Sequence, residues 1–172
     1  MLRLVLCLII VIFSALAGWS KASVYTNRIE ELQNLTANLK YLEAEMGFRM
    51  EPIPVILTRL GESRKDSGGV FFSEVAGLLA EEQGLTLRQA WEKGFVRAYG
   101  ENVLAAGDKR VVMELGCQLG QTDMQAQRRL FSHCFSGLGL QEEAARQEAR
   151  IKGRMYRGLG VSIGVLAAVL LL

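Results

Sequence analysis

Apolar residues return every three or four positions through Ile29, Leu32, Leu35, Leu39, Leu42 and Met46. That spacing is one face of an amphipathic helix, with Gly47 near its end. "EPIPVILTRLGE" predicts a second helix, with Pro54 in a first turn that tolerates proline and Gly61 at its stop. "GGVFFSEVAGLLAEEQG" predicts a third, with Phe72, Val75, Ala76 and Leu79 inside and Gly84 closing it. Thr86 and Gln89 have the spacing of a capping box. They open "LRQAWEKGFVRAY", which buries Ala90, Trp91 and Phe95 and stops near Gly100. Asp108 is placed to cap "KRVVMELGCQLG". The last helix starts after Thr122 and runs to the C-terminal apolar stretch, weakened at Gly137 and Gly139. No stretch keeps the two-residue alternation of a strand, so the pattern predicts an all-α bundle of about six helices.

The stretch "LGCQLGQTDMQAQRRL" predicts a sharp corner between two of these helices. Gly120 is placed as the left-handed residue just past a helix end, where the absent side chain removes a steric penalty. Gly116, one turn earlier, lets a neighbouring helix pack closely. Thr122 with Gln125 reads as a second capping box, and Asp123 sits in the positive first turn of the new helix. Gln127 lies one turn beyond Asp123 and has no local task, so it is the candidate for contact with another helix or subunit.

Both ends of the chain are apolar. No charge falls between Arg3 and Lys21, and none follows Arg157. Residues 1–21 are read as a membrane anchor, 22–156 as a helical domain and 157–172 as a second membrane segment. The first uncharged run, 17 residues, is at the short edge of the roughly 17–25 that span a bilayer. The second, 15 residues, is shorter, and Tyr156 with a snorkelling Arg157 extends it. Gly160, Gly164 and Ala168 form a small-residue face suited to packing against the first anchor or another subunit. The competing reading takes Ala15–Ala17 as a signal-peptidase site. The helical pattern continuing through "YTNRIEELQNLTANLKYLEAEM" favours the uncleaved anchor. Outside the domain, Arg3 and the terminal amine are the positive groups. On the domain side lie Lys21, Arg28, Arg146, Arg150, Lys152, Arg154 and Arg157. That bias predicts a cytoplasmic domain, with an Arg-rich tract near lipid heads.

Composition narrows the chemistry. The net charge of +2, with acids and bases interleaved, gives no footprint for nucleic acid. The three cysteines, Cys7, Cys117 and Cys134, fit neither a zinc site nor a disulfide framework and read as buried small hydrophobes. His133 has no second ligand at metal spacing. Glu43 and Glu45 point to different helix faces and cannot act as a pair from one helix. No phosphate-binding loop, dinucleotide fingerprint or nucleophile elbow occurs. No cofactor, metal or small-molecule substrate is expected.

"ELQNLTANLKYLEAEM", "PIPVIL", "EEQGLTLRQAWEKGF" and "LGCQLGQTDMQAQ", with the apolar ends, carry a resemblance over essentially the whole length. The most specific part is Leu-Gly-x-x-Leu-Gly-x-x-Asp-x-x-x-Gln at Leu115, Gly116, Leu119, Gly120, Asp123 and Gln127. The chain resembles the stage III sporulation protein AB family of endospore-forming bacteria. The resemblance implies a non-enzymatic component of the transenvelope channel joining mother cell and forespore, needed for late forespore gene expression. It implies synthesis in the mother cell, residence in the membrane facing the forespore, and two kinds of partner. These are the secretion-type ATPase of the same operon and the other stage III channel subunits. The domain is also similar to the cytoplasmic domain of the platform proteins of type II secretion and type IV pili. Two other readings stand beside this one. The first puts the domain in the intermembrane space after signal-peptide cleavage, and the second is a small membrane-bound enzyme or ligand-binding protein.

Overall fold

The computed structural model describes residues 2–49, 51–81, 84–100, 103–121 and 123–171. Six helices follow in order: α1 Leu2–Arg49, α2 Ile53–Ser63, α3 Ser67–Glu81, α4 Leu87–Tyr99, α5 Ala106–Gln118 and α6 Met124–Leu171. No strand occurs among the described residues. The chain divides into two compact units, Glu30–Glu142 and the pair of end segments Met1–Ile29 with Glu143–Leu172.

In Glu30–Glu142 the predicted α1 face forms one wall of the core: Leu32, Leu35, Leu39 and Leu42 are fully buried. Ile56 and Leu57 of α2, Phe71 and Phe72 of α3 and Trp91 and Phe95 of α4 are buried as well. Phe71 stands edge-on to Trp91 at 4.7 Å and to Phe95 at 5.7 Å. Edge-to-face pairs add roughly 0.5–1.5 kcal/mol each beyond the area they bury. The Trp91 indole N–H donates to Val112 O at 3.0 Å, so its polar atom is satisfied inside the core.

The helix ends show why the chain turns where it does. Thr86 and Gln89 form the predicted capping box. Gly84, Gly100 and Gly120 have φ of 91°, 66° and 77°. Two assignments differ from the sequence reading. Gly61 does not stop α2; it lies buried inside that helix, where a Cβ would overlap Ser73 of α3. Its task is close helix approach. Asp108 is not the cap residue of α5 but its third residue, and its Oδ2 accepts from Ala105 N at 2.8 Å. Asp66 is a cap that the sequence reading missed. Its Oδ1 accepts from Gly69 N at 2.8 Å and opens α3. Burial pushes its carboxyl upward, but Asn38 Nδ2, Gly69 N and Arg64 overcome that and hold it below its ordinary range.

In the other unit the two end segments run antiparallel. Gly18 faces Gly160, where a Cβ on Gly18 would sit 2.7 Å from Tyr156 O and one on Gly160 2.7 Å from Ser14 O. A Cβ on Gly164 would sit 3.0 Å from Val11 Cα. Small residues therefore let the two backbones touch. Further along, Tyr25 stacks on Tyr156 at 6.1 Å between centroids, and Arg28 Nη1 meets Glu148 Oε2 at 3.0 Å. Among the described residues, no helix is long and apolar enough to cross a membrane. The side chains of residues 1–8 lie outside the described set.

Candidate functional site

Two surfaces gather the residues singled out by the sequence. The first is the α5–α6 corner. Leu119 N and Gln121 N bond back to Leu115 O and Gln118 O at 3.0 and 3.3 Å, and Gly120 between them takes the positive φ. Gly116 is buried beneath Trp91, and a Cβ there would overlap the indole. Asp123 caps α6: its Oδ1 accepts from Ala126 N at 2.7 Å, and its carbonyl accepts from Gln127 N at 2.9 Å. The expected Thr122–Gln125 box falls on Thr122, which lies outside the described residues, and Gln125 is exposed.

Gln127 is 8% exposed, the most hidden polar residue of the corner among the described residues. It lines a cleft of about 630 Å³ together with Met46, Ile53, Leu119, Gly120 and Met124. The corner thus places an amide beside apolar walls. His133 and Cys134 line a separate groove with Glu114 and Arg129. Burial, with Glu114 adding to it, pushes the Cys134 thiol up to about 12, which disfavours the thiolate at neutral pH. Among the described residues no three of His, Cys, Asp and Glu converge as metal ligands do.

The second surface belongs to the paired end segments. Ile9, Ile12, Phe13, Leu16 and Trp19 stand exposed on α1, and Leu159, Ile163, Leu166 and Val169 on α6. In sequence, Lys21 bounds this apolar zone on one helix and Arg157 on the other. Gly160 and Gly164 of the predicted packing face are buried against α1 of the same chain, while the Ala168 side chain lies outside the described set. Charge is segregated in a way that the total conceals. Met1–Ile29 with Glu143–Leu172 holds eight basic and two acidic side chains, whereas Glu30–Glu142 holds twelve basic and sixteen acidic.

A sequence model of the stage III sporulation protein AB family matches residues 3–172. A curated relative, stage III sporulation protein AB of Bacillus subtilis (strain 168), is 24% identical over 172 residues and is covered completely, as is this chain. A solved structure of stage III sporulation protein AB superposes with a TM-score of 0.63 at 21% identity, covering 72% of this chain and 96% of that one. The chain belongs to the stage III sporulation protein AB family.

Proposed function

We propose that the chain is a membrane-anchored, non-enzymatic platform subunit of the channel between mother cell and forespore. In this reading the end segments sit in the mother-cell membrane facing the forespore. Glu30–Glu142 lies in the mother-cell cytoplasm, where it docks a secretion-type ATPase and other stage III subunits.

The observation that carries the membrane part is the exposed apolar zone of the paired end segments. Nine large apolar side chains there are 47–72% exposed. Leaving them in water forgoes on the order of 10 kcal/mol of apolar transfer free energy. Trp19 near the boundary, with Tyr25 and Tyr156 stacked beyond it, has the aromatic character of a bilayer interface. Each apolar segment is short, so the reading rests on the pair, with basic residues reaching the headgroups from one side. The docking part rests on the Gln127 cleft and on family membership.

The test has two arms. A single cysteine at Lys21, in a chain lacking its native cysteines, should resist a membrane-impermeant thiol reagent in intact sporulating cells and react after lysis. The tagged chain should bring down the ATPase and the other channel subunits from detergent extracts. Labelling in intact cells, or a mature N-terminus at Gly18, would turn the topology around. Failure to retain the ATPase would remove the docking role.

A further inference from the structure

We infer that α1 and α6 together form a binding site for the phosphate of an anionic phospholipid headgroup, built from Arg146, Arg150, Arg154 and Thr26. The inference rests on the membrane reading above and adds the lipid class. The four residues line one groove of about 410 Å³, with Ile29 and Ala149 as its apolar part. Arg146, Arg150 and Arg154 are four residues apart, so they form a row along one helix face with steps of about 6 Å.

Three observations set this row apart from an ordinary solvated face. First, Arg150 and Arg154 are exposed and make no ion pair among the described residues. Second, this unit contains just two carboxylates, Glu143 and Glu148. Glu148 is held by Arg28 at 3.0 Å and by Lys152, and neither acid lines the groove. Among the described residues, Arg150 and Arg154 therefore remain unpaired in the groove, while Arg146 has a partner of its own. Third, the row leads toward the apolar zone. Arg154 is one turn before Gly158, where the uncharged stretch begins, and Arg150 is two turns before it. A headgroup layer is roughly 5–7 Å deep on each side of the hydrocarbon, so extended guanidinium groups from both positions lie within reach of it. A guanidinium binds phosphate oxygens through paired N–H donors, and the Thr26 hydroxyl adds a neutral donor. Ile29 and Ala149 suit the glycerol and first methylenes below the phosphate. The same donors would bind free phosphate, but the groove's position beside the apolar zone commits the site to lipid.

The full chain reconstituted into vesicles supplies the test, with Trp19 as the reporter. Trp19 is 65% exposed in the apolar zone, whereas Trp91 is fully buried and contributes a constant background. Quenching by brominated phosphatidylglycerol is compared with quenching by brominated phosphatidylcholine. A basic side chain near an anionic surface contributes roughly a five-fold preference. Arg150→Gln with Arg154→Gln should therefore lower the phosphatidylglycerol preference by roughly 30-fold, toward parity. Quenching by phosphatidylcholine should not change. A circular dichroism spectrum checks that the variant is folded, and either single substitution replaces the pair if it is not. Equal quenching by the two lipids in the wild-type chain, or a preference that survives the substitutions, overturns the site and leaves the membrane reading standing. Trp19 unquenched by either lipid removes the membrane reading and the site with it. Calorimetric titration of the detergent-solubilised chain with inorganic phosphate should give no binding. Tight binding there would assign the groove to soluble phosphate instead.

Discussion

Two glycines on different helices should respond in opposite directions to the same substitution. Gly116 is buried in α5, and a Cβ at this position overlaps Cδ1 and Cγ of Trp91. Trp91 is fully buried and donates its indole N–H to Val112 O at 3.0 Å. Gly116→Ala therefore pushes the ring out of its slot. Overpacking of this kind costs roughly 1–3 kcal/mol, and loss of the hydrogen bond costs about 1 kcal/mol more. Alanine returns about 1 kcal/mol through its better helix propensity. The net expectation is a loss of about 1–3 kcal/mol. Gly139 lies exposed in α6, and a Cβ there meets nothing within 4 Å. Gly139→Ala changes helix propensity alone and should stabilise by up to about 1 kcal/mol. Thermal unfolding of residues 22–156, followed by far-ultraviolet circular dichroism, reads both effects. For a domain of this size 1 kcal/mol corresponds to roughly 4 °C. Gly116→Ala should lower Tm by roughly 4–12 °C and Gly139→Ala should raise it by up to about 4 °C. If both shift in the same direction, or if Gly116→Ala leaves Tm unchanged, the close approach of Trp91 to the α5 backbone does not exist in solution.

The other expectations concern the corner, the acid limb and the thiols. Gly120→Val should cost about 1–3 kcal/mol in chemical denaturation because φ is 77° there, and Gly120→Asn should cost less. Asp123→Ala removes the cap on Ala126 N and should cost about 1 kcal/mol, whereas Asp123→Asn should cost only a few tenths. Asp66 has a lowered folded pKa, so its contribution is complete above the ordinary carboxylate value and is lost as pH falls through the folded one. Asp66→Asn should accordingly flatten the acid side of the stability–pH curve, and an unchanged acid limb would discount the Asn38–Asp66–Arg64 group. Cys134 in the native chain should alkylate more slowly at neutral pH than the less buried Cys117, as mass spectrometry of timed quenches would show.

The sequence pattern conveyed what depends on neighbours in the chain. The α1 core face and the Thr86–Gln89 box are local, because a helix repeats every 3.6 residues and a cap acts over three. Gly61 misled because glycine is a common helix stop, and only its contact with Ser73 of α3 reveals its use. Asp123 was legible as a first-turn charge, whereas its cap on Ala126 N is seen only in the structure. Asp66 could have been found: an aspartate three residues before a glycine and followed by an apolar run has the spacing of a cap. The Arg28–Glu148 pair could not have been found, because its partners are 120 residues apart. The same holds for the segregation of charge, which appears only once the two ends of the chain are known to share a unit.

That shared unit has a consequence for biosynthesis. Glu30–Glu142 is contiguous and can fold while it leaves the ribosome, at roughly 5–20 residues per second. The segment holding Gly18 must wait for Gly160, which is translated after all of Glu30–Glu142. For that interval the Ile9–Trp19 apolar face has no partner helix. During those seconds its apolar side chains stay exposed. A codon change that slows translation between the two segments would lengthen that exposure without altering a single amino acid.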